Sequence, residues 1–106
     1  MSGNRIDYSE EVKVFAKSGD LIGSAHFTGY AHRPRTGGLW SWNGRLTQTD
    51  FEVGAVMEAG EMRLEFSDGA SGKVLYTNVQ ITANRLGNLS WVDVLGNGMP
   101  PRVGTN

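Results

Sequence analysis

The stretch 29–44, GYAHRPRTGGLWSWNG, carries the densest chemistry in the chain: Tyr30, His32, Arg33, Arg35, Trp40 and Trp42 crowd around one proline and a Gly-Gly pair. In an extended chain, residues two apart share a face. Tyr30 then lies beside His32, and Trp40 beside Trp42. A turn through 33–38 would bring both pairs near Arg33 and Arg35. Aromatic rings interleaved with arginine stack the bases of single-stranded nucleic acid, and tryptophans ~6.6 Å apart along a strand would equally stack sugar rings. The same residue types make the hot spots of protein–protein interfaces. They also fill cores, with the arginines left in a solvated loop. The sequence leaves these three readings open.

Catalysis finds less support. His26 and His32 share one strand face, six positions and about 20 Å apart, too far to share a metal ion or relay a proton. There is no cysteine, which removes thiolate zinc sites, disulfides and cysteine nucleophiles, and no histidine pair stands at helical spacing. No G-x-S-x-G elbow occurs, and TGGLW and SDGASGK lack phosphate-loop spacing. Glu61 and Glu65 flank Arg63 on one face, a solubilising pattern. Asp93 is different, because it alternates with Trp91 and Leu95. A carboxylate on an apolar face belongs at an edge, in a hydrogen bond or against a partner. The expectation is a protein without catalysis, metal or cofactor.

These side chains must be positioned by strands. Even positions from Ile6 to Ala16 are mostly apolar against a charged odd face. From 21 to 32, Leu21, Gly23, Ala25, Phe27, Gly29 and Ala31 share one face. A third strand runs over 39–48. EMRLEF at 61–66 turns Met62, Leu64 and Phe66 inward. KVLYTNVQITA follows, with Leu75, Val79 and Ile81 on the expected core face, and LSWVDVL closes the set. The stretch 49–60 reads as a crossing loop anchored by Phe51 and Val56. Asp50 could cap a helical turn there, but Val53 and Gly54 weaken so short a helix. Six strands with turns between them and little helix predict an all-β, mainly antiparallel barrel or sandwich.

Length and composition agree. The 106 residues suit one domain, with 99–106 as a flexible tail, and 39% hydrophobic against 20% charged is globular. Ten basic side chains against eleven acidic leave a net charge of −1, where a dedicated duplex-DNA binder carries a basic excess. The opening residues hold no apolar run of signal-peptide length, and no stretch approaches the ~18 apolar residues of a spanning helix. The chain is therefore expected in cytoplasm, or assembled into a virion-like particle, with no membrane partner.

The segment 92–103, VDVLGNGMPPRV, resembles the final strand and Pro-Pro segment of the small head–tail joining proteins of tailed bacteriophages. Leu95, Gly96, Asn97, Gly98, Met99, Pro100 and Pro101 follow that family's L-G-x-G-x-P-P-like pattern, and SGKVLYTNVQI resembles the strand before it. The resemblance implies a small β-barrel that joins others into a ring at a virion neck, with no catalytic residue to transfer. The strands at 21–32 and 39–48 exceed the usual ~5–6 residues, so their hairpin is expected to project and bind a copy of this chain or another structural protein. The alternative is a small ligand-binding module for single-stranded nucleic acid or glycan on the same hairpin.

Overall fold

The computed structural model describes residues 5–33, 38–81 and 89–102. The alternating segments form β1 (Arg5–Ala16), β2 (Leu21–His32), β3 (Ser41–Thr47), β4 (Glu61–Phe66), β5 (Ser71–Ile81) and β6 (Leu89–Gly96), with a helix α1 (Val53–Ala59) between β3 and β4. Every neighbouring pair is antiparallel, and the order β1-β2-β3-β6-β5-β4 closes on itself when β4 returns to β1. The expected all-β fold is present, and closure makes it a barrel rather than a sandwich.

The pleat sends alternate residues inward. Tyr8, Val12 and Val14 of β1, Ala25, Phe27 and Ala31 of β2, and Met62, Leu64 and Phe66 of β4 are all buried. Phe27 lies edge-on to both Trp42 and Phe66 at 6.0 Å, and Tyr8 lies 5.8 Å from Phe27. Trp42 is the largest of these residues and only 1% exposed. Its indole occupies the space that two glycines on other strands leave free. A Cβ on Gly72 would stand 2.7 Å from its Cζ2, and one on Gly96 would fall on the indole nitrogen.

Two expectations are corrected. The stretch 49–60 is not a plain loop, because Val53–Ala59 is helical. Asp50 does not cap that helix: its Oδ1 accepts the Ser24 N–H at 2.7 Å, and Glu52 stands at the N-cap with no side-chain bond. Packing of Val56 and Phe51 against the barrel supplies what propensity does not, and Gly60, at φ 70°, ends the helix with its N–H on the Val56 carbonyl. In β5 the core residue is Val74, while Leu75 is 42% exposed. A register shift between Tyr76 and Asn78 then reverses the phase and brings Val79 onto the core; the side chain of Ile81 lies outside what is described.

The segment after β6, expected as a tail from Met99, is described as far as Arg102. Pro100 and Pro101 are buried, and the Tyr8 hydroxyl donates to the Pro101 carbonyl at 2.6 Å. The Arg102 guanidinium donates twice to the Glu10 carboxylate, at 2.8 and 2.9 Å, and once to Asp68 at 2.8 Å. It also lies 4.9 Å above the Phe66 ring. Residues 103–106 are outside the description.

This seat gives a prediction. Burial pushes the Tyr8 phenol from 10.0 up to about 12, partly offset by the Arg102 charge. The folded state therefore favours the neutral phenol. Its contribution is intact below pH 10 and is lost as pH rises towards 12. Absorbance at the phenolate band should show one tyrosine ionising late, together with unfolding, and Tyr8→Phe should remove that step.

β4 pairs with β1 only between Val12 and Ala16, whereas β2 pairs with β1 from Arg5 onward. Among the described residues, 5–11 of β1 therefore has a ladder partner on one side only. This part of β1 runs on beside β2 and β3 as an arm that β6 joins along Asn43–Thr47, and the molecule measures 48 × 25 × 20 Å.

Candidate functional site

Register decides which side each aromatic takes. Ala31 stands opposite Trp42 and Tyr30 opposite Asn43. Trp42 therefore enters the barrel while Tyr30 and His32 point out of it, and the single aromatic surface anticipated over 29–44 is divided. Trp42 is a core residue. Trp40 sits at the rim, half-buried against the core, with the Arg33 guanidinium 5.9 Å from its ring centroid. His32 is exposed, 6.3 Å from Tyr30 between ring centroids, and its Nδ1 lies 3.4 Å from the Ser41 hydroxyl. Leu39, next to Trp40, is 89% exposed. Arg35 lies outside the described residues.

The outer face adds residues the sequence did not single out. Arg5 lies 4.3 Å above the Tyr30 ring and pairs with Asp7 at 2.9 Å. Across the sheet, Arg45 stands opposite Asp93 and donates to both its oxygens, at 2.6 and 3.2 Å. The same guanidinium lies 4.5 Å over the Trp91 ring. Asp93 is thus hydrogen-bonded, one of the three situations its apolar neighbours called for. Leu75 and Leu95 face each other across β5 and β6, both exposed. Between the leucines and Tyr30 lies an open depression of about 540 Å³, floored by Gly29 and Gly44 and bordered by Asn43, Arg45, Thr77 and Asp93. No periodicity within one strand gives these neighbours, because each pair needs the register of two strands.

Comparison with protein-family models, with curated proteins and with solved structures finds no match for this chain. Its function must be argued from its own surface.

That surface offers little for chemistry. The Ser9 hydroxyl and His26 Nε2 are 3.2 Å apart, within the reach a nucleophile and base require. They stand on an exposed face, however, with no described carboxylate hydrogen-bonded to the other ring nitrogen. Among the described residues no group of three or more His, Asp or Glu is placed to hold a metal ion, and no helix is long and apolar enough to cross a membrane. The π faces of Tyr30 and Trp91 are each covered by an arginine of the same chain. A base or sugar stacking there would have to displace it. The arm's end has the opposite character, with an exposed leucine, a half-covered tryptophan, a histidine and an arginine on a projecting sheet.

Proposed function

We propose that this chain is a non-catalytic assembly protein that binds copies of itself or another structural protein through its arm. The contact residues are Tyr30, His32, Arg33 and the open side of Trp40. The observation that carries this reading is the arm itself: β1 and β2, twelve residues each, outrun β4, and β1 5–11 is left, like β5 beyond Leu75, without a described partner on its β4 side. Such edges are sites of association. The exposed Leu39 beside Trp40 adds the aromatic and apolar character of interface centres. The likeness of 92–103 to the closing segment of phage head–tail joining proteins supports the same role, as a neck or tail component of a virion or related particle.

Size-exclusion chromatography with light scattering tests the reading, on the wild type and on Tyr30→Ala/Trp40→Ala. The expected result is a defined assembly in the wild type that loses copies in the variant. A wild type that stays monomeric at every concentration and binds no structural partner would overturn it.

A second reading, binding of single-stranded nucleic acid or glycan, draws on the depression bordered by Asn43, Arg45, Thr77 and Asp93, with Tyr30 at its rim. Nucleic-acid affinity falls steeply with ionic strength, while an apolar protein contact changes little, so a salt series separates the two.

A further inference from the structure

We infer that the edge of β1 at 5–11, which has no ladder partner among the described residues, pairs antiparallel with the same edge of a second copy, the two Tyr8 residues opposite each other at the two-fold axis. This rests on reading the arm as the assembly element and names its partner. Within 5–11 the outward side chains are Arg5, Asp7, Ser9 and Glu11, and the inward ones Ile6, Tyr8 and Glu10. Centred on Tyr8, the pairing sets Arg5 of each copy against Glu11 of the other, twice by symmetry, and Asp7 against Ser9. Opposite charges across a ladder stabilise it and like charges oppose it. Sliding the second copy by two residues one way brings Asp7 against Glu11, and the other way brings Asp7 against itself. A slip of one residue joins the inner face of one copy to the outer face of the other. One register is therefore favoured.

Two further features fit. A depression of about 380 Å³ lies where the edge meets β4, with Glu11 and Glu65 in its lining against one cation, Lys13, an acidic balance that suits Arg5 of the second copy. Arg5's present ion pair with Asp7 is solvent-exposed, so giving it up costs little, and its contact with the Tyr30 ring is given up with it. On the inner side Ile6 comes opposite Glu10, whose carboxylate is already paired with Arg102. A ladder of seven residues makes a small interface, so the dimer is weak and concentration-dependent.

Light scattering across a concentration series is the test, on the wild type, Arg5→Glu, Glu11→Arg and the double variant Arg5→Glu/Glu11→Arg. Both substitutions fall on exposed outward positions. The wild type should pass from monomer to dimer, each single variant should need about tenfold more protein, and the double variant should return to the wild-type midpoint. In a chain without cysteine, Asp7→Cys/Ser9→Cys fixes the register independently. Opposed Cα atoms in an antiparallel ladder stand about 4.5–5.5 Å apart, within disulfide range, so oxidation should give a covalent dimer. Single variants that leave the midpoint unchanged, a double variant that fails to restore it, or no disulfide dimer would each overturn the edge pairing. If the assembly instead disperses only in Tyr30→Ala/Trp40→Ala, the arm's assembly role stands and the edge pairing fails. A wild type monomeric throughout removes self-assembly and edge pairing together.

Discussion

Trp42→Ala is expected to destabilise the barrel by about 3–5 kcal/mol, the range for truncating a fully buried aromatic. The indole is not merely large. It touches the two other central rings, 6.3 Å from Tyr8 and 6.0 Å from Phe27 between centroids, and occupies the slot that Gly72 and Gly96 leave open. Neighbouring side chains cannot collapse into that slot, because neither glycine has one. Trp40→Ala, at the half-exposed rim, should cost about 1 kcal/mol. The Trp42 indole N–H has no hydrogen-bond partner among the described residues, so Trp42→Phe should lose volume alone and fall between the two. Gly96→Ala should cost about 1–3 kcal/mol by overpacking, and less in the Trp42→Phe background. A double-mutant cycle by denaturant unfolding reads that coupling. If both tryptophans give the same small loss, the indole is not the centre of the core.

What could be read from the chain beforehand was local. Alternation within β4 placed Leu64 inside correctly, and within β1 and β2 it sorted Tyr8 and Phe27 onto the faces that prove to be buried, since the pleat depends on nothing beyond the strand itself. Trp42 could not be assigned the same way. Its direction follows from the pairing of Ala31 with Trp42, and its accommodation from glycines on β5 and β6. Leu75 was misplaced because one extra residue in β5 reverses the phase, which polarity alone does not mark. The helix at Val53–Ala59 was missed for the reverse reason: Val53, Gly54 and Val56 have poor propensity, and it is held by where Val56 and Phe51 land. The arm's outer chemistry was half legible. Tyr30, His32 and Arg33 were visible as a cluster, but Arg5 over Tyr30 and Arg45 against Asp93 join distant strands and needed the barrel to be closed.

The segment after β6 is the second place where a large effect is expected. Gly98 and Arg102 both have positive φ, 100° and 68°. For Gly98 this is unstrained, but for Arg102 it costs about 1 kcal/mol or more, so the side chain's bonds must hold it there. Those bonds are a two-pronged contact to Glu10 and a third to Asp68, in a site where Glu10 and Arg102 are each less than one-third exposed. Arg102→Ala should therefore cost about 2–3 kcal/mol, the range for charge-assisted hydrogen bonds, while the backbone strain remains. Ending the chain at Gly98 should cost more, because it also strips Pro100 and Pro101 from Tyr8. Acid supplies an independent check. The Arg102 hydrogen bond, with a second from the Ala70 N–H, holds the Asp68 carboxyl below its ordinary 3.8. This contribution is complete above pH 3.8 and disappears as pH falls through the lowered value. The stability gap between wild type and Arg102→Ala should narrow over that window and stay constant above it. A gap that is absent at neutral pH would mean that the prolines alone close this end of the barrel.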